Sequence, residues 1–66
     1  MFLIDYHENM VNVNHIVKIL IADYNSINDN MTHQVYANLT NGTSILFIGS
    51  LLECIDYMEY LKRKLM

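Results

Sequence analysis

Asn41-Gly42 stands between two apolar runs, VYANLT before it and TSILFI after it, and the chain then passes Gly49 into SLLECIDYMEYLKRKLM. Asn-Gly flanked in this way is the strongest short-range hairpin signal, because a tight two-residue turn asks both residues for positive φ, which Asn and Gly tolerate best. Ser50-Leu51-Leu52-Glu53 opens the helix as a capping box, in which the Ser50 and Glu53 side chains can each satisfy an amide of the first turn. Val35 to Met66 therefore reads as strand, turn, strand, helix. The remainder of the chain has to fold around that unit.

With 66 residues, the chain has room for one domain, residues 1–66, and a small core. A domain below roughly 70–80 residues rarely draws more than about 3–5 kcal/mol from its core alone. Disulfides, metals and self-association are the usual supplements. Cys54 is the single cysteine, which excludes an intrachain disulfide. At 53% hydrophobic and 17% charged residues, the composition lies far from the disordered regime. Self-association is the supplement this apolar excess favours.

The net charge of −3 and the absence of a basic run before Lys62-Arg63-Lys64 argue against nucleic acid as the partner, since phosphate neutralisation needs a basic stripe. MFLIDYHENM lacks the basic and apolar regions of a signal peptide, and no apolar run approaches the roughly 20 residues that span a bilayer. A free cysteine without an export signal points to the cytoplasm and to no membrane partner.

Along the chain, Phe2 to His7 alternates Phe2, Ile4 and Tyr6 against Leu3, Asp5 and His7, as a first strand would. Glu8-Asn9 turns the chain and Met10 to Val13 is short and extended. HIVKILIADY, His15 to Tyr24, is dense in β-branched residues and reads as a strand, although Ile16, Ile19 and Leu20 also satisfy a helical spacing. Asn25 to Thr32 is a loop rich in Asn, Asp and Ser. The expected fold is α+β: a small antiparallel sheet of three to four strands with one C-terminal helix packed on one face.

A turn on Asn41-Gly42 sets Tyr36 opposite Phe47 and Asn38 opposite Ile45 on one face, with Val35, Ala37, Leu39, Leu46 and Ile48 on the other. In the second strand Val17, Ile19 and Ile21 share a face, and Ile16, Lys18 and Leu20 share the opposite one. On a helical wheel Leu51, Cys54, Ile55, Met58, Leu61 and Leu65 form one stripe. Leu46, Ile48, Ile55, Met58 and Leu61 are thus the expected core. Tyr36, Ile45 and Phe47, joined by Ile16 and Leu20, are left as an apolar patch away from the helix. Patches of this kind mark interaction surfaces. Tyr60 projects among charged residues of the helix, where a solvated tyrosine and a partner contact are equally served. Glu59 is placed to pair with Arg63.

Candidate chemistry is sparse. His7, His15, His33 and Cys54 show none of the close spacing of a zinc site, so no metal and no cofactor is expected. Cys54 follows a helix start, which can activate a thiol, but its place on the apolar stripe favours packing. The carboxylates form no acid–base pair, there is no Gly-rich phosphate loop, and a domain this small has little volume for a water-excluding pocket. Lys62, Arg63 and Lys64 answer the helix dipole as readily as they would a phosphate. The three Asn-x-Thr sequons, at Asn30, Asn38 and Asn41, carry no weight without an export signal.

The order of these signals resembles the small FlbD-type flagellar accessory proteins of bacteria. The resemblance is carried by Val13-Asn14-His15-Ile16-Val17-Lys18-Ile19, by Leu39-Thr40-Asn41-Gly42 and by Ser50-Leu51-Leu52-Glu53. The loop from Asn25 to Thr32 and the Tyr-rich helix depart from that pattern. What the resemblance implies is a motility accessory role. The residues themselves point to a non-enzymatic, self-associating protein-binding module, with a dimer as the first expectation. A regulator or inhibitor of a larger protein fits, for instance a phage-encoded inhibitor of a host enzyme or defence complex. A dimeric nucleic-acid-binding protein using Lys62, Arg63 and Lys64 is the alternative from another class.

Overall fold

A computed structural model describes residues 1–25, 27 and 30–65; part of the expected loop between Asn25 and Thr32 lies outside them. The element order is β1 (Phe2–Ile4), β2 (Met10–Asn12), a 3-10 turn (Val13–His15), β3 (Ile16–Asp23), β4 (His33–Leu39), β5 (Gly42–Gly49) and α1 (Leu51–Leu65). The fold is α+β, as the sequence implies. It differs in having, among the described residues, five strands divided between two antiparallel sheets, β1-β2 and β3-β4-β5, where one sheet of three to four strands is expected. The division falls at Asn12, whose side chain accepts a hydrogen bond from the Asn14 amide at 3.0 Å and caps the 3-10 turn. Side-chain capping of this sort competes with ladder formation and ends β2 before β3 begins. Of the run His15 to Tyr24, Ile16–Asp23 is strand and not helix, while His15 closes the 3-10 turn and Tyr24 lies just beyond the strand.

The hairpin turns one residue earlier than the Asn-Gly signal suggests. Leu39 pairs with Gly42, so Thr40 and Asn41 form the loop. Among the described residues Glu8 is the non-glycine with positive φ; Asn41 does not share it, and Gly42 alone takes the unusual backbone at φ 153°.

Two bulges then decide which residues face the helix. Near the turn, Asn38 pairs with Thr43 and Tyr36 with Ile45; beyond the bulge, Val35 pairs with Phe47 and Gln34 with Ile48. One extra residue in β5 reverses every side chain that follows it. Phe47 is therefore on the helix side, stacked on Tyr57 with ring centroids 4.9 Å apart, and Ile48 shares the face of Gln34, although it is buried as expected, at 7% exposure. Both placements reverse the simple alternation. The second bulge, between Ile16 and Lys18, moves Ile16 to the helix side with Ile19 and Ile21, leaving Leu20 opposite Tyr36 on the outer face.

The core gathers Leu3, Val35, Ala37, Leu46, Cys54 and Leu61. Val35, Ala37 and Cys54 are wholly closed to solvent, and their small size lets α1 lie close above β4 and β5. The capping box forms as read: Ser50 N donates to Glu53 Oε1 at 2.9 Å and Glu53 N to Ser50 Oγ at 3.2 Å. The buried stripe is narrower than the wheel suggests. Cys54 and Leu61 are buried, Tyr57, Met58 and Leu65 are partly so, but Leu51 and Ile55 are 46% and 42% exposed. The expectation of a buried Ile55 is corrected: it lies on the flank of α1 shared with Met58, not beneath the helix. Glu59 pairs with Lys62 at 3.4 Å, one turn position short of the expected Arg63.

Leu61→Ala should cost about 2–5 kcal/mol, the range for emptying a core site, and Ile55→Ala only about 1 kcal/mol in dilute solution, in line with its partial exposure. Equal losses in urea unfolding would contradict the narrow stripe. At Gly49 an added Cβ would stand 2.8 Å from Phe47 Cε2 and 2.9 Å from Glu53 Oε1. Gly49→Ala should accordingly destabilise by about 1–3 kcal/mol through overpacking, read as a lowered Tm; an unchanged Tm would show that the Phe47 ring yields freely.

Candidate functional site

The residues with chemical potential are not brought together. Among the described residues no group of three His, Cys, Asp or Glu side chains is placed to hold a metal ion. His33 stands 3.4 Å from Asp23 across adjacent strands, and its Nδ1 lies 2.8 Å from Thr32 Oγ1. Cys54 is fully buried, and burial pushes its thiol up in spite of a hydrogen bond to the Gly49 backbone, with Glu53 nearby adding to the rise. A thiol in that state is a core atom, not a nucleophile.

Among the described residues, apolar surface is presented chiefly in three places. The outer face of the three-stranded sheet holds Leu20, Ala22, Tyr36 and Ile45, all half-buried by their neighbours on the sheet. Ala22, Gln34, Tyr36, Thr43 and Ile45 line a shallow depression there of about 390 Å³. Of the patch read from the sequence, Tyr36, Ile45 and Leu20 come together on this face. Phe47 and Ile16 do not, because each bulge turns one of them inward.

The second surface is the outward face of β1-β2. Leu3 pairs with Val11, and both are buried at 5%; the flanking row of Phe2, Ile4 and Met10 is 54%, 57% and 67% exposed. Sequence reasoning misses this row as a site. The alternation of Phe2 and Ile4 against Leu3 is legible, but only the pairing of Ile4 with Met10 shows that the row with more apolar bulk faces outward.

The third is a groove of about 370 Å³ between α1 and β3, with Ile16 and Ile19 as its floor, Met58, Leu61 and Leu65 as its wall, and the lysines Lys18 and Lys62 at its rim. On the other flank of the same half of the helix Tyr60 is 45% exposed, with Lys64 Nζ 5.6 Å above its ring and donating to its hydroxyl at 3.2 Å. Tyr57, between Tyr60 and Phe47, is held above the ordinary tyrosine value first by burial and then by Tyr60.

Asp5 fixes the position of the exposed β1-β2 row. Its Oδ1 accepts from the His7 and Asn9 amides at 2.9 and 2.8 Å, and its Oδ2 accepts from Ser44 Oγ at 2.8 Å. The Tyr6 amide donates to the Ile45 carbonyl at 2.8 Å, so the turn between β1 and β2 is tied to β5 through both backbone and side chain. Partial burial alone would raise the Asp5 carboxyl, but the bonds from Asn9, Ser44 and His7 outweigh it and hold the group below its ordinary value. A depressed folded pKa stabilises the fold above the ordinary carboxylate range, and that contribution disappears as pH falls through the lower, folded value. Asp5→Asn should therefore lose about 1–2 kcal/mol at neutral pH, and its deficit against the wild type should shrink on acidification. A deficit that stays constant with pH would mean that the Asp5 charge contributes nothing.

A scan against protein-family models finds no match to this chain, and searches of curated proteins and of solved structures return no significant match.

Proposed function

We propose that this chain is a non-enzymatic protein-binding module that docks on a larger protein and regulates or inhibits it. The observation that carries the reading is the row Phe2, Ile4 and Met10. Three large apolar side chains on one sheet face, each more than half exposed, form the kind of surface that monomers seldom leave open. Asp5 and the Tyr6 amide hold that surface against β5, and a pre-ordered surface loses less entropy on binding than a mobile one. The depression at Tyr36 and Ile45, with Gln34 and Thr43 on its border, has the apolar centre and polar margin of an interface and offers a second contact area. Self-association belongs to the same reading, since a core of this size gains from a partner.

Catalysis is not favoured by this arrangement, because the one thiol is buried and the histidines and carboxylates are scattered. Nucleic acid is not favoured either. Lys62 is engaged by Glu59 and Lys64 by Tyr60, so the basic turn is partly neutralised or occupied within the helix.

Ile4→Asp, with folding verified by circular dichroism, should abolish capture of the protein partner that wild type retains from host extract. Ile45→Asp should weaken capture less, and Arg63→Ala should leave it unchanged. Retention of the same partner by both Ile4→Asp and Ile45→Asp would refute the reading.

A further inference from the structure

The fold sorts its sulfur atoms by access. Cys54 is wholly closed to solvent, and burial raises its thiol, with Glu53 adding to the rise. Oxidation of a cysteine follows its exposure and its thiolate character, and Cys54 offers neither. Met58 packs against the core and Met31 is half-buried. Met1 and Met10 are exposed. An oxidant in solution therefore meets thioethers of this chain before its thiol.

Met10 holds a particular place among them. It pairs with Ile4, so the two side chains stand together on the outward face of the ribbon, and it is the most exposed of the row Phe2, Ile4 and Met10. The residue opposite Phe2 is Asn12, and Val11 points inward to the core with Leu3. Met10 is thus the one apolar side chain that β2 gives to this face. The ribbon does not need it to fold: Leu3 and Val11 are buried beneath, and Asp5 fixes the turn to Ser44.

We propose that Met10 is an oxidation site through which a hydroperoxide switches the β1-β2 surface off. A sulfur lone pair attacks one peroxide oxygen and the O–O bond breaks. The departing hydroxide takes the proton from the oxygen now on sulfur and, with hydrogen peroxide as oxidant, leaves as water. Sulfur has lost two electrons and the peroxide has gained them. The product sulfoxide is polar and chiral, and it replaces the whole apolar contribution of β2 to the row. The change is reversible, since methionine sulfoxide reductases return each sulfoxide epimer to the thioether. The inference rests on the docking reading proposed above and adds its regulation.

Limited treatment with hydrogen peroxide, read by fragment-resolved mass spectrometry, tests the chemistry. Met10 should gain one oxygen before Met31 and Met58 do, while Cys54 is still a free thiol that titrates after unfolding. Oxidation of Cys54 first, or a spared Met10, overturns the proposal. Retention on a phenyl matrix and capture of the partner that the wild type retains then read the surface. Both should fall on oxidation, with the circular dichroism unchanged, and return after treatment with the reductases of both stereospecificities. Met10→Leu stays apolar and cannot take up oxygen, so it should hold retention and capture through the same treatment; Met1 is common to both proteins and cancels. An equal loss by Met10→Leu, or unfolding of the oxidised wild type, overturns the switch. An untreated Ile4→Asp protein that keeps the partner removes the docking reading and the switch with it, while the order of sulfur oxidation stands.

Discussion

One helix covers about two strands. An α-helix with its side chains is about 10 Å across, and strands in a sheet lie about 4.8 Å apart, so a single helix on a three-stranded sheet must leave one strand bare. Here the bare strand is β3, and the choice follows from side-chain size. Val35, Ala37 and Cys54 are small enough for α1 to settle over β4, with Leu46 and Phe47 of β5 filling the space toward Tyr57. The open groove at β3, the exposure of Ile55 and the free β3 edge are consequences of that single seating.

The two-stranded sheet answers the same shortage of cover on the other flank. Leu3 enters the core cluster beside Leu46 and Cys54, and Asp5 locks the turn to Ser44. Closing that flank with a hairpin of three-residue strands has a geometric price: a two-stranded ribbon has two faces and can bury only one. Leu3 and Val11 take the inside, so Phe2, Ile4 and Met10 are left outside. The surface assigned here to partner binding is thus created by the element that completes the core.

The bulges show how small a feature can govern a surface. Without the extra residue in β5, Phe47 would sit on the outer face beside Tyr36 and the aromatic stack with Tyr57 would not exist. With it, Leu46 and Phe47 both serve the helix side, and the outer face keeps only Tyr36, Ile45 and Leu20 of the anticipated patch. The same holds at Val17, where the bulge transfers Ile16 into the core.

The sequence by itself determined what depends on neighbours along the chain: the hairpin near Asn41-Gly42, the strand at residues 16 to 23, and the helix start, where Ser50 and Glu53 meet through bonds spanning a single turn. It also determined that no disulfide can form within this chain. Tertiary structure alone decided the faces beyond each bulge, because a bulge arises from fitting β5 under α1 and β3 onto β4, and neither fit leaves a periodic trace in composition. It decided too that the broad apolar stripe of the helix is only half used. A helical wheel reports which residues share a side; how much of that side finds a sheet beneath it depends on where the helix comes to rest, and that is set by the volumes of Val35, Ala37 and Cys54 acting across the whole fold.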